Sequence, residues 1–339
     1  MPVPAVMSLA GLALASAAVT FWALRYANHR RLLDQPGERR SHSVPTPRGG
    51  GIGIAAALLV AAGAAAVAGL VPAMQALAFC TGLLLVAGVG WIDDHRSLSA
   101  LPRLAVQCVA GMTLAWGCFG GGDSRLWFWL AAASVPVLVN VWNFMDGIDG
   151  LATTQALLAA IVLALLAPDA AGPLAWSLAA ACCGFLPFNF PRARIFLGDV
   201  GSGTLGYALA AATMLAASSL AEADATPARG AALLVLLPLS AFLLDASLTL
   251  AGRILRRERW WQPHVSHLYQ RWVRSGRGHV FVTAVYALFS FVDGILALVL
   301  DRSAPGLAGG STAAWLTLGA ILWFLLIRAT STDRNVFAG

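Results

Sequence analysis

Apolar residues run along this chain in long blocks, broken only by short polar stretches. Eleven blocks stand out, at 4–24, 50–71, 74–91, 104–119, 126–143, 151–167, 173–190, 203–220, 229–251, 280–300 and 311–328. Most approach the roughly 20 residues that one helix needs to cross a bilayer. The pattern predicts an all-α polytopic membrane protein of about eleven transmembrane helices. Ala-rich tracts such as 55–68 supply small residues that let helices pack closely in lipid. No fixed-period repeat and no soluble domain interrupts the series. Residues 1–339 read as a single integral-membrane domain with polar loops near 25–49, 92–103, 144–150, 191–202 and 252–279.

Composition sharpens this picture. The chain is 59% hydrophobic and only 11% charged, against about one quarter charged for a soluble domain. Lipid must therefore be its solvent. The net charge of +6 invites a nucleic-acid reading until the basic residues are placed. All 22 are Arg, and 19 of them fall on the side of the 25–49 loop; only Arg125, Arg229 and Arg302 fall on the other. Short Arg-rich loops stay cytoplasmic, so that side is predicted to be the cytoplasm, with the N-terminus periplasmic and the C-terminus cytoplasmic. The basic excess then follows from topology and from the headgroups of the lipid bilayer, and needs no nucleic acid. The first block lacks a charged leader region, so it reads as a span, with a removed signal peptide as the alternative. The five cysteines lie in or at the ends of blocks with no CxxC, and read as packing residues.

Carboxylates at the mouths of membrane helices are costly to keep there and point to function. Five polar elements on the Arg-rich side carry them and their companions. In RRSHSVPTPRGGG (39–51), Pro45 and Pro47 stiffen the chain, Gly49 to Gly51 would let backbone amides approach a ligand, and Arg48 could pair with phosphate. In GWIDDHRS (90–97), the adjacent Asp93 and Asp94 can hold a cation, or one can act as a base; helix capping by exposed aspartates is the plainer alternative. In NVWNFMDGIDGLA (140–152), Asn140 and Asn143 share one helix face, Asp146 and Asp149 follow, and Gly147 and Gly150 break the helix. Hard oxygen ligands of this kind suit Mg²⁺, with Mn²⁺ as a substitute, and not zinc. In FNFPRARIFLGDVGSG (188–203), Asp199 sits among glycines just before a span, with Asn189 and Arg194 nearby. A metal bridging such an Asp and a phosphate would reconcile their charges at a helix N-terminus. In RRERWWQPHVSHLYQRW (256–272), His264 and His267 are three apart beside Arg271; phosphate or sugar contact fits them better than a zinc site. Trp260 and Trp261 would lie at the headgroups. Asp245 is expected to line the cleft from within its span, and Asp293 to have a structural partner or to face water.

DDHRS, NVWNFMDGIDGLA, FLGDVGSG and HVSH together resemble the polyprenyl-phosphate N-acetylhexosamine-1-phosphate transferases, the superfamily of MraY and WecA. RRSHSVPTPRGGG and the stretch from Asp245 to Trp272 look most like the WbpL-like initiating transferases of O-antigen assembly. The likeness runs over residues 34–279. It implies transfer of sugar-1-phosphate from a UDP-N-acetylhexosamine to undecaprenyl phosphate, release of UMP, and a need for Mg²⁺. By motif it gives Asn143 and Asp199 the metal and diphosphate, and Asp93, supported by Asp94, the lipid phosphate. Asp146 and Asp149 become nucleotide and active-site carboxylates, and His264 and His267 take the nucleotide sugar. Arg48, Asn140, Asn189, Arg194 and Arg271 complete the expected substrate contacts. Ser97 stands where the MraY branch has Lys, and that branch's triple His is absent, so a simple aminosugar is expected over a muramoyl-peptide. A polytopic transporter of an anionic substrate is the main rival, but its acids would sit near the bilayer midplane. A CDP-alcohol phosphotransferase would place an Arg after its DG motif, which DGIDGLA lacks. A homodimer is left open.

Overall fold

A computed structural model describes residues 3–35, 37, 44–121, 125–223, 230–259 and 264–336. The RRSHS start of the first polar element, and Trp260 and Trp261, lie outside these residues. Eleven helices coincide with the eleven apolar blocks: α1 (Val3–Arg30), α2 (Ile52–Val67), α3 (Ala73–His95), α4 (Ala100–Phe119), α5 (Arg125–Met145), α6 (Leu151–Leu166), α7 (Gly172–Asn189), α8 (Gly198–Ala223), α9 (Ser240–Leu255), α11 (His279–Ser303) and α12 (Ala308–Val336). The block at 229–251 divides into a 3₁₀ stretch, Ala231–Leu239, and α9. A short helix that the apolar pattern did not predict, α10 (Leu268–Arg274), stands in the 252–279 loop, and a two-residue antiparallel pair joins Leu33–Asp34 to Thr46–Pro47. Seven helical stretches are long and apolar enough to cross a membrane alone, and α2 and α6 are shorter apolar helices.

The most enclosed of the spanning helices is α8, 78% buried, whereas α1 and α12 are 11% buried. It packs against α2, α3, α5, α6 and α7. Small residues make this possible. A Cβ on Gly206 would lie 2.5 Å from the Val139 Cα, and one on Gly203 would lie 2.9 Å from a Val86 methyl. Large apolar side chains such as Trp22, Leu84, Trp116, Trp129 and Leu325 stay exposed on the outside, as a lipid-solvated protein permits. The chain alternates direction, so the C-terminal ends of α1, α3, α5, α7 and α9 meet the N-terminal ends of α2, α4, α6, α8 and α11. The predicted polar elements therefore gather at one end of the bundle.

Candidate active site

The first turn of α8 is the centre of this end. Gly198 has φ 76, a left-handed conformation that turns the chain into the helix. The apolar pattern starts this span at 203; the helix starts at Gly198, so Asp199 lies inside the first turn. The reason is a cap from elsewhere. Asp94, at the end of α3, accepts the Asp199 amide at Oδ1 (3.0 Å) and the Val200 amide at Oδ2 (3.1 Å). Both its oxygens are thus committed to backbone, and it is 2% exposed. Arg48 donates to the Asp94 carbonyl. The GGG run also differs from expectation. The Gly50 and Gly51 amides donate to the Phe196 and Leu197 carbonyls (both 2.9 Å). The close approach that these glycines allow is to the α8 backbone: a Cβ on Gly51 would lie 2.1 Å from the Gly201 Cα. They seat the helix and do not offer amides to a ligand.

With its backbone held this way, Asp199 presents its carboxylate to three partners. Asn143, two residues from the end of α5, donates to Asp199 Oδ1 (2.6 Å) and to Ser202 Oγ (3.2 Å). Arg103, in the first turn of α4, donates to Asp199 Oδ2 (3.3 Å) and to Asp93 Oδ2 (2.9 Å). Asp93 also accepts the Leu98 amide. Motifs separated by some fifty and a hundred residues thus meet in one hydrogen-bonded group: Asp93, Arg103, Asn143, Asp199 and Ser202. The cleft beside it is lined by Val86, Gly90, Gln107, Asn140 and Gly203 among others. Asn140 donates to Gln107 (2.7 Å), one turn before Asn143 on the expected face.

The turn after α5 carries the other two acids. Burial pushes the Asp146 carboxyl up to about 7, and the nearby charges of Asp94 and Asp149 add to it. Asp149 Oδ2 lies 3.2 Å from His279 Nδ1, and Thr283 donates to the Asp149 carbonyl (3.0 Å); both partners belong to α11. Asn189 fastens this turn to the 191–197 loop, accepting the Gly150 amide (3.0 Å) and donating to the Ile195 carbonyl (3.1 Å). Its amide thus ties two backbone segments together. Arg194 folds back onto the Pro187 carbonyl (2.9 Å) and the Phe188 ring, away from the acidic group.

The His segment closes the other flank. His264 and His267 lie with ring centroids 4.9 Å apart, and His267 also stacks on Tyr269 (5.9 Å). Burial lowers His264 to about 4, with His267 and Arg253 adding to the effect, so it is neutral at pH 7. Tyr269 reaches across to donate to the Phe144 carbonyl (3.0 Å), and Arg271 donates to the Ser266 carbonyl (3.1 Å). Asp245 does not line the cleft: it is 1% exposed. Asp293 has structural partners, as expected, in Ser240 and the Trp315 indole.

Arg103, Ser202 and His279 are functional candidates that the sequence reading passed over. Arg103 was counted only as a topology arginine. An Arg in the first turn of a helix opposes the helix dipole, which was a usable signal. His279 and Ser202 carried none.

For a metal ion the donor set is lean but suitable. Among the described residues no group of three or more His, Cys, Asp and Glu is arranged around a common point. Mg²⁺ does not require one; it commonly takes one or two carboxylates, with waters and substrate phosphates for the rest. Asp199 would offer its carboxylate and Asn143 its amide oxygen; in this structure the Asn143 NH₂ donates to Asp199 Oδ1.

Residues 76–217, which contain the Asp93–Asp94 pair, Asn143 and Asp199, match glycosyl transferase family 4. The decaprenyl-phosphate N-acetylglucosaminephosphotransferase of Mycobacterium tuberculosis is 32% identical over 324 residues, covering 83% of this chain and 80% of the relative. This chain belongs to that family. A probable undecaprenyl-phosphate N-acetylglucosaminyl 1-phosphate transferase of Bacillus subtilis is 29% identical over 87% of this chain and 81% of its own length. A phospho-N-acetylmuramoyl-pentapeptide-transferase of a Synechococcus strain is 35% identical, over 55% of this chain and 60% of its own.

Proposed function

We propose that this protein transfers N-acetylhexosamine-1-phosphate from a UDP-aminosugar to undecaprenyl phosphate at the cytoplasmic face of the bacterial plasma membrane. The contact between Asn143 and Asp199, with Asp93 tied to the same group through Arg103, is the observation that carries this reading. An oxygen of the lipid phosphate attacks the sugar-bearing phosphorus of the donor. The bond from that phosphorus to the UMP oxygen breaks, and UMP leaves with the electron pair. No proton has to move, because a phosphate monoester is already largely ionised near pH 7. Asp93 then orients and does not need to abstract.

Two anions must meet, so neutralisation and positioning dominate the barrier. Arg103 is the cation present in the chain itself, and its part-exposed guanidinium is placed to accept a phosphate in exchange for a carboxylate. Asp199 and Asn143 would hold Mg²⁺ or Mn²⁺, which supplies further neutralisation of the diphosphate when bound. Asp146 and Asp149, in the turn after α5, would serve as nucleotide and active-site carboxylates. His264, His267 and Arg271 face the nucleotide sugar. A mature product of this kind would start a lipid-linked polysaccharide such as O-antigen.

The test is incubation of membranes with undecaprenyl phosphate and a panel of labelled UDP-aminosugars: GlcNAc, GalNAc, FucNAc and QuiNAc. The expected result is lipid-linked label with stoichiometric UMP, lost in EDTA and restored by Mg²⁺ or Mn²⁺. Transfer that persists undiminished in metal-free buffer would remove the metal, and absence of UMP with every donor would remove the reaction.

A further inference from the structure

Asp245 is the most heavily bonded buried carboxylate that the proposed reaction does not use. It lies on α9, inside a membrane span, and is 1% exposed. A charge in such a place is costly unless it is paired and hydrogen-bonded. Its partners come from four helices. Oδ1 accepts the Leu268 amide (2.9 Å), the Trp323 indole N–H (3.0 Å) and the Thr249 hydroxyl (3.3 Å). Oδ2 accepts the Tyr286 hydroxyl (2.7 Å) and the Tyr269 amide (3.4 Å). His267 Nδ1 stands 3.8 Å away, buried, with no hydrogen-bond partner of its own.

Leu268 and Tyr269 are the first two residues of α10. Asp245 therefore caps α10 from another helix, as Asp94 caps α8. The hold continues outward. Tyr269, fixed at its amide by Asp245, fixes the Phe144 carbonyl with its hydroxyl. A Cβ on Gly147 would lie 2.2 Å from that hydroxyl, so the turn carrying Asp146 is pressed directly against it. His264 and His267 lie ring beside ring, tilted by 34°, at the entrance to the same short helix.

We propose that Asp245 is a positioning residue for the donor: from within the membrane it sets where the His264–Tyr269 segment stands against the Phe144–Gly147 turn. This rests on the donor-binding role given to that segment above. The acceptor side, built on Asp93 and Arg103, has no contact with Asp245, so the two substrates should respond differently.

The experiment measures kcat and the KM of each substrate for the unsubstituted protein, Asp245→Asn, Tyr286→Phe and Trp323→Phe. Asp245→Asn turns one acceptor oxygen into a donor facing other donors. It is expected to raise the donor KM at least tenfold and leave the acceptor KM within twofold. Tyr286→Phe and Trp323→Phe each delete one hydrogen bond and should show the same split at a few-fold, which decides the matter if Asp245→Asn does not accumulate in membranes. Donor and acceptor KM rising together, or a fall in kcat alone, would overturn the inference by making Asp245 a general stabiliser. If the unsubstituted protein releases no UMP from any donor, the reaction itself is wrong and the inference falls with it; if it turns over and the split is missing, the inference falls alone.

Discussion

At the scale of single residues, neighbouring acids have separate duties. Asp93 and Asp94 are adjacent in sequence, yet one faces the cleft beside Arg103 and the other is enclosed under two amides of α8. Leaving a buried amide unpaired costs about 1–3 kcal/mol. Asp94→Asn is therefore expected to lower thermal stability in detergent as well as activity, because one of its two acceptor oxygens becomes an NH₂ facing an N–H. Asp199→Asn should abolish UMP release with little change in unfolding temperature, since its carboxylate serves the cleft. A pair of variants with equal stabilities would mean that Asp94 does not hold the helix. The sequence made both positions visible as intramembrane-mouth acids, but nothing local separates a working acid from a capping one. That distinction depends on residue 199 being next to residue 94 in space. Arg103 was hidden for the opposite reason: as one of 22 arginines it had a sufficient explanation in membrane topology.

At the scale of elements, the apolar blocks located eleven helices because a bilayer forces every backbone polar group to find an intrahelical partner. Their ends were less legible. The start of α8 came five residues early, since its cap is supplied by a distant carboxylate and not by a Ser, Thr or Asn at the boundary. The seven-residue α10 is too short to stand out in the apolar pattern, and Asp245 of α9 accepts its first two amides beside the local His267–Gln270 cap. Interhelical distance was legible only as a richness in small residues, without saying which ones matter. Two glycines of α3 separate the cases. A Cβ on Gly90 would lie 2.5 Å from the Asp199 carbonyl oxygen, while one on Gly88 meets nothing within 4 Å. Gly90→Ala should push α3 from α8, cost about 1–3 kcal/mol as overpacking does, and cut activity sharply. Gly88→Ala should be neutral, or stabilising by up to about 1 kcal/mol through helix propensity. Thermal unfolding and UMP release on both variants check this; an active, stable Gly90→Ala would show that the α3–α8 spacing is not critical.

At the scale of the whole molecule, the site is an end of the bundle, and the Arg distribution predicts that this end faces the cytoplasm. Asp169, exposed in the loop between α6 and α7, and Ser275, exposed between α10 and α11, lie at opposite ends. In a variant with the five cysteines replaced by alanine, Asp169→Cys should react with a membrane-impermeant maleimide in intact cells. Ser275→Cys should react only after the cells are opened. Labelling of Ser275→Cys in intact cells would put the cleft outside and exclude a soluble cytoplasmic nucleotide as donor.

Helix beginnings are ordinarily where a protein breathes first, because their leading amides hang free. The leading turn of α8 inverts that habit. Its amides are sealed by Asp94, its flanks are closed by Gly51 and Gly90, and it heads the most enclosed of the spanning helices. For Asp199 to drift, α3, the Pro47–Gly51 segment and α8 must loosen together. The carboxylate on which the chemistry would turn is thus gripped from three sides at once.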